Sequence, residues 1–450
     1  DAAVIGRELA NVAVEVTADA ARQAEAVWDR YRTDSLTLRE INTYRIIDSL
    51  GRKNSFDARV KGLTALLSGQ LPMGTLNLDL NRLVRYNRYE GLYLGLGLHT
   101  SDRFSGLFAL GGYAGYGFRD KDVKYGTDLL INLLRYDNLT LGLKYACDLE
   151  EAGGTAFFDD IISIFSSDYY RRFYLTRMDL SETAEAMLSF RMLRYVKAGI
   201  GISRSRKQAT YDYAYQQNED SPAILTADHT FGKLIAGVKF ARGEKFVRTA
   251  DKQASLGTKF PIVWLQYSGS RAGFLDGQFD YNRLDAKVML SFITRLTGKT
   301  SIQFTGGLVD RPAPYSELFN GRGSRISNFS IYSTASFATM HTDEFISDRF
   351  AAVFITHSFG KLLYRSATFE PQLAVAFNAG IGSLEESWRH RYAGFKTMEK
   401  GYYEGGILIN NLLKSALSGI GLGVFYRTGP YSFDSPGKNL AFKLSINYNL

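Results

Sequence analysis

The chain changes its hydrophobic rhythm once. Up to about residue 70, apolar side chains recur at helical spacing. Ile41, Tyr44 and Ile47, with neighbouring Leu38, fall near one helical face. Thr37 and Glu40 have the spacing of a capping box, hydroxyl first and carboxylate three residues later. Ser55 is placed to cap a second helix carrying Phe56, Val60, Leu63 and Leu67, and Leu71-Pro72-Met73-Gly74 breaks it. Residues 1–70, rich in Ala, Glu and Arg, read as a short helical segment.

After Gly74 the period is two. Leu92, Leu94, Leu96 and Leu98 alternate with Tyr93, Gly95, Gly97 and His99. Leu139, Leu141, Leu143 and Tyr145 alternate with Thr140, Gly142 and Lys144. The pattern returns at Val196–Ser203, Leu284–Phe292 and Ile420–Phe425. Each such strand has one apolar face and one small or polar face. A soluble sandwich would carry a charged, branched second face; here it is often Gly, Ser, Asn or Ala, as a lumen wall would be. At the end of the chain Leu440, Phe442, Leu444, Ile446, Tyr448 and Leu450 alternate to the last residue, as a strand that closes a barrel does.

These segments predict an all-β fold, an antiparallel transmembrane β-barrel of about 16 strands preceded by a short α-helical segment. The expected domains are residues 1–70, helical and periplasmic, and 71–450, the barrel. The predicted strands are 75–83, 89–100, 104–119, 122–136, 139–149, 182–194, 195–207, 231–243, 259–272, 278–296, 299–311, 347–361, 368–384, 400–414, 417–430 and 439–450. Residues 170–180 extend the sixth strand or add another. The longer connections, 150–181, 208–230, 244–258, 312–346 and 385–399, fall mostly at alternate turns.

Composition narrows the setting. The 450 residues include 28 Tyr, 30 Phe and 43 Gly but 8 Pro. Tyr suits the two membrane interfaces and Gly a curved wall. No run approaches 18 apolar residues, which excludes a transmembrane helix and says nothing against spanning strands. The net charge of +8 is dispersed along alternating strands rather than clustered, which argues against nucleic acid and suits anionic lipid headgroups. Cys147, the single cysteine, has no His base nearby in sequence and reads as an inert wall thiol.

Several segments carry a resemblance. They are Trp28–Leu50, Leu83–Leu98, Gly112–Lys121, Asp343–Arg349 and Gly419–Arg427. Together they resemble a Bacteroidota outer-membrane barrel family of unknown function. Its members usually carry an N-terminal carboxypeptidase-regulatory-like sandwich. None is read here, so the resemblance implies a fragment or processed form. More distantly the chain is similar to the BamA-type surface-antigen superfamily, whose sixteen-stranded barrels fold and secrete outer-membrane proteins. Those barrels have a long loop between strands eleven and twelve, where an Arg-Gly pair docks in the lumen. Here 312–346 falls at that place. Gly321-Arg322-Gly323 is its nearest match, followed by Ser324 and lacking the flanking aromatic.

The resemblance implies an outer-membrane barrel in protein assembly, secretion or an envelope complex. A channel or plugged porin for small solutes is the alternative, and an outer-membrane enzyme the third. The expected partners are outer-membrane lipids including lipopolysaccharide, and other outer-membrane or periplasmic proteins; no cofactor is implied. Arg322 is expected to pair in the lumen with Asp285. A BamA-type barrel opens between its first and last strands, a seam that would set Leu76, Leu78 and Leu80 against Phe442, Leu444 and Ile446. Asn81 and Arg82 interrupt the first strand's apolar face.

Other chemistry is weaker. His99, His229, His341, His357 and His390 show no metal-ligand spacing. His357-Ser358 and His341-Thr342-Asp343 are the nearest to a hydrolase pair, but adjacent strand residues face opposite ways. Asp159 and Asp160 with Glu150 and Glu151 have the oxygen chemistry for Ca²⁺, or form a solvated acidic loop. The apolar stretch Phe157–Ser166 is a loop cluster, a lumen plug or a partner patch. Gly321-Arg322-Gly323 is a turn or a docked plug.

An even-stranded barrel has both termini on the periplasmic side. Protease added to intact cells is therefore expected to spare Arg39 and Lys53, and cleavage there before lysis would reverse the topology.

Overall fold

The computed structural model describes residues 12–16, 37, 43, 69–101, 103–134, 139–160, 167–217, 225–249, 253–255, 257–295, 297–327, 329–361, 366, 368–415 and 418–448. Among these residues, sixteen antiparallel wall strands follow one another round a single curled sheet. The first, β1, has two segments, Leu76–Asp79 and Val84–Asn87, joined by a 3-10 turn at Leu80–Arg82. Next come β2 (Gly91–Thr100), β3 (Phe108–Gly117), β4 (Val123–Leu134), β5 (Leu139–Glu151), β6 (Met178–Leu193), β7 (Val196–Ala209) and β8 (Asp228–Ala241). The second half is β9 (Ile262–Ser270), β10 (Tyr281–Thr294), β11 (Gly298–Val309), β12 (Arg349–Lys361), β13 (Gln372–Ser383), β14 (Tyr402–Lys414), β15 (Ser418–Thr428) and β16 (Leu440–Tyr448). Each of the sixteen predicted spans overlaps one of these strands; β5, β6, β7, β8 and β11 run one to four residues beyond their spans, and the second segment of β1 lies past its own.

Alternation decides facing. Leu92, Leu94, Leu96 and Leu98 are 37–53 % exposed on the outer surface, while Tyr93 between them is wholly buried in the lumen. Ile420, Leu422 and Val424 face out in the same way, and Phe425 and Arg427 face in. With every second residue apolar and outward, the outer surface matches hydrocarbon, and the ladders satisfy the backbone there.

The apolar core is inside the barrel. Tyr213, Tyr215, Phe231, Tyr281, Tyr315, Phe319, Phe337, Phe345 and Tyr402 pack together in the lumen. They come from inward strand positions and from the connections 210–227, 310–348 and 384–401. Those three join their strands at one rim, as do the connections between β5 and β6, β9 and β10, and β15 and β16. The expected long connection at 244–258 lies on the opposite rim. There Phe246–Thr249 pairs with Gln253–Ser255 and, in parallel, with Val12–Val16.

Three expectations change. Val12–Val16 is a strand, so that part of the N-terminal segment is not helical; the helical reading of 37–67 falls almost wholly outside the described residues. Leu71-Pro72-Met73-Gly74, read as a helix breaker, belongs to a hairpin in which Gln70–Met73 pairs with Leu76–Asp79. Finally, β1 is interrupted where Asn81 and Arg82 predicted, but it resumes at Val84 and continues to Asn87.

The facing predicts a clear contrast. Leu94→Arg near the bilayer midplane should cost roughly 2–4 kcal/mol. Gly142→Ser, lumen-facing, with the nearest atoms to its added Cβ at 3.8 and 3.9 Å, should cost much less. Gly95→Ser is a poor control, because its Cβ would meet the Tyr93 Oη at 2.5 Å and the Arg82 carbonyl at 2.8 Å. Equal loss of heat-modifiable migration for Leu94→Arg and Gly142→Ser would reverse the facing.

Candidate functional site in the lumen and at the seam

The 310–348 insertion folds into the lumen, and inward-facing wall charges hold it there. Lys207 on β7, Lys233 on β8 and Arg283 on β10 occupy the lumen face because each sits at an inward position of its strand. The Glu317 carboxylate of the insertion lies 2.6 Å from the Lys233 Nζ and 3.3 Å from that of Lys207. Tyr281 donates its hydroxyl to the other carboxylate oxygen at 2.9 Å, and Arg283 donates to the Glu317 carbonyl at 3.0 Å. Burial works to raise the Glu317 carboxyl, but Lys233, Lys207 and Arg283 overcome it and hold it well below the usual carboxylate range.

Further anchors follow along the insertion. Glu404 on β14 accepts the backbone N–H groups of Ala338 and Thr339 at 2.7 and 2.8 Å, and the Asn378 amide at 2.6 Å. Lys443 on β16, wholly buried, donates to the Ser324 carbonyl at 2.9 Å and the Ser330 hydroxyl at 2.7 Å. Arg427 on β15 pairs with Glu344 at 2.9 Å; burial raises that carboxyl, yet the Arg427 hydrogen bond and charge keep it lowered.

Gly321-Arg322-Gly323 is both a turn and a docked segment. Gly321 and Arg322 have positive φ (66° and 58°), and a Cβ on Gly323 would stand 2.2 Å from the His341 carbonyl oxygen. Arg322 does not pair with Asp285. Its Nε donates to the Ala335 carbonyl at 2.8 Å within its own insertion, and Asp285 is taken at 2.8 Å by Arg283, two residues away on the same strand face.

A second connection also enters the lumen. From 152–160 the Phe158 ring lies against Gly199 and Gly237, where added Cβ atoms would stand at 2.6 and 2.4 Å. The Phe158 N–H donates to Gln266 at 2.7 Å. Lys197 and Lys239 pair with Asp159, and Lys287 with Asp160 at 2.6 Å. Glu150 pairs with Lys207 at 3.3 Å, and Glu151 accepts from Arg171 at 2.6 Å. The four carboxylates offered for Ca²⁺ are therefore divided among separate cations. Arg171, on helix α1 (Ser167–Arg172), also donates to the Gly323 carbonyl at 3.1 Å and joins the two inward connections.

The expected seam is arranged differently. The outer edge of β1 is covered by the Gln70–Met73 hairpin strand, so Leu76 and Leu78 face Met73 and Leu71 across it; Leu80 begins the 3-10 turn. Phe442 and Leu444 on β16 pair with Phe329 and Ile331 of the insertion, in parallel, and Ile446 pairs with Ile420. Among the described residues no register joins β1 to β16. A three-residue strap, Phe329–Ile331, takes the edge of the last strand instead. The six seam residues are thus not brought face to face.

The histidine pairs do not form a hydrolase site. His357 bonds to Thr300 and to the Thr297 carbonyl, both at 2.8 Å, and Ser358 faces away. Asp343 accepts from Thr176 at 2.8 Å and Tyr315 at 3.2 Å, not from His341. His390 bonds to the Tyr213 hydroxyl at 3.0 Å, with burial pushing its imidazole down to about 4. Cys147 stays a half-buried wall residue. Sequence reading missed Glu317, Glu404, Lys443, Arg171 and Arg283; their one legible sign is charge at inward positions of apolar-alternating strands or inside long connections.

A sixteen-stranded wall with an apolar outer face and a charged, filled lumen defines an integral outer-membrane β-barrel protein. Within that class, the family of unknown function (DUF5686), C-terminal domain, matches residues 74–396, and the chain belongs to it. No curated protein matches. Among solved structures, BamA from Haemophilus ducreyi lacking POTRA domains 1–3 is similar in fold, with a TM-score of 0.50 at 12 % identity, over 83 % of this chain and 70 % of that one. CdiB from Acinetobacter baumannii has a TM-score of 0.45 at 12 % identity, over 84 % and 60 %. CdiB from Escherichia coli has 0.47 at 8 %, over 83 % and 62 %.

Glu317→Gln leaves buried cations uncompensated and should cost roughly 3–5 kcal/mol. New protease cleavage within 310–348 is the expected readout. Because the folded-state carboxyl lies below its unfolded value of about 4.3, its stabilisation is complete above that pH and is lost as pH falls toward the folded value. Acidification should therefore destabilise the wild type more steeply than the variant. Identical acid profiles would remove Glu317 as the anchor.

Proposed function

We propose that this barrel serves outer-membrane assembly, secretion or a larger envelope complex, acting at the sector between β1 and β16 rather than as an open channel. The observation that carries this reading is the strap. Three residues of a lumen insertion occupy the edge of the last strand, and the Tyr332 N–H adds a hydrogen bond to the Leu444 carbonyl at 2.8 Å. So short a ladder is cheaper to exchange than the nine-residue pairing of β15 with β16. A strand edge uncovered by such an exchange has one use in hydrocarbon, pairing with another strand. The resemblance to BamA-type barrels supports the same reading. The reading puts residues 1–70 on the periplasmic side, to meet envelope partners, and the insertion held in the lumen weighs against the solute-channel alternative.

Phe329 and Phe442 are a register pair, both exposed outward, at a separation a disulfide spans. In a Cys147→Ser background, Phe329→Cys with Phe442→Cys should lock the strap. Defective growth or altered envelope composition, reversed by reductant, is the expected outcome. A locked strap with unchanged growth would sink the seam reading. Deleting 313–323 is expected to raise single-channel conductance in planar bilayers, and unchanged conductance would mean the insertion does not block the lumen.

A further inference from the structure

Two clefts meet at Arg88, on the turn between β1 and β2. One, of about 390 Å³, is lined by Tyr86, Phe173, Tyr174, Ile326 and Ile331 beside Arg88. It lies between β1 and the strap, where Val84, Tyr86 and Phe329 are about half exposed on the outer, apolar surface. Its lining is apolar for a structural reason. Tyr174 turns its hydroxyl to the Ile331 N–H at 2.5 Å, and Phe173 is held edge-on by Tyr86 and Tyr169 at 6.4 and 5.6 Å. The other cleft, of about 550 Å³, is lined by Arg88, Tyr89, Arg119, Asp120 and Thr176.

The second cleft carries uncompensated positive charge. The Arg88 backbone is fixed, its N–H donating to the Leu175 carbonyl at 3.3 Å and its carbonyl accepting from Arg119 at 2.8 Å. Its guanidinium has no hydrogen bond or ion pair among the described residues, and Arg119 has no carboxylate partner there. Asp120, the acid in the cleft, is already neutralised by Lys124. An apolar cleft on the outer surface that shares Arg88 with a cationic cleft at the rim fits an amphiphile with acyl chains and a phosphate-bearing head. Both clefts lie on the rim of the long connections, which in outer-membrane barrels is the external one. The acylated, phosphorylated amphiphile of that leaflet is a glycolipid.

We propose that these clefts bind the phosphorylated glycolipid of the outer leaflet, with an acyl chain against Tyr86, Phe173 and Ile331 and a phosphate between Arg88 and Arg119. The site needs the outer-membrane setting and does not depend on the seam opening. The full chain in mild detergent is titrated with lipid A, dephosphorylated lipid A, phosphatidylglycerol and phosphatidylethanolamine, and bound lipid is read by native mass spectrometry. Lipid A should bind best. Arg88→Gln with Arg119→Gln should weaken it by about tenfold or more, the scale of lost charge-assisted bonds. The cleft-filling Ile326→Trp should also weaken it. Arg204→Gln with Arg206→Gln, cations already paired with Asp276 and Asp228, should bind as wild type does. Undiminished binding by the Arg88/Arg119 variant overturns the proposal, as does equal binding of dephosphorylated lipid A or of phosphatidylglycerol. If the variants lose heat-modifiable migration, the wild type's discrimination among the four lipids decides alone.

Discussion

Hydrocarbon offers a peptide group no partner but another peptide group, so a spanning sheet must satisfy both edges of every strand. From β2 to β15 each strand is laddered to a neighbour on both sides, broken by the β1 turn and by bulges in β4, β12 and β14. Only the outer edges of β1 and β16 are left, and the chain covers them by different means. On β1 the Gln70–Met73 hairpin strand pairs with the first segment, and the 169–175 region contacts the second through Val84 and Arg88. On β16 the strap reaches out from inside the barrel. The sector where the fold is hardest to close is therefore built from pieces of connections, which hold by few hydrogen bonds.

The strap is possible because the insertion is fixed in the lumen. Inward strand positions present lysine, arginine and glutamate to an interior in which Lys443, Arg427 and Glu404 are wholly buried. Each such charge must find a partner or remain costly. The insertion supplies those partners in both senses, a carboxylate at Glu317 for wall cations and backbone N–H groups at Ala338 and Thr339 for the wall carboxylate Glu404. Lys443 sits one layer behind the strap and bonds to Ser324 and Ser330, so the last strand and the strap share a buried cation. Such pairs add little net stability against apolar packing, but they penalise any other register of insertion on wall.

The same sector gathers the features that look outward. Phe173 and Tyr174 follow α1, whose Arg171 grips the insertion turn, and they line the cleft against Tyr86 and Ile331. An acyl chain in that cleft touches the strap directly. Lipid, strap and last strand are then neighbours in one patch, and a change in any one alters the contacts of the other two.

Period-two alternation made the wall legible from sequence. Leu92–Leu98, Ile420–Val424 and Leu440–Ile446 name their outward residues, because a strand has two faces and hydrocarbon accepts one kind. The length and position of 312–346 marked it as the insertion, and Asn81-Arg82 marked the break in β1. Sequence did not tell which charges meet. Arg322 and Asp285 were a reasonable pair by type, yet Arg283 lies two residues from Asp285 on the same face and takes it. Nor could it place Phe329–Ile331 on β16, or find Val12–Val16 beside Phe246–Thr249. Facing is a local property, set by the pleat residue by residue. Partnership inside the lumen is set by the barrel's curvature, which brings together strands and connections remote in the chain, and only the tertiary structure decides it.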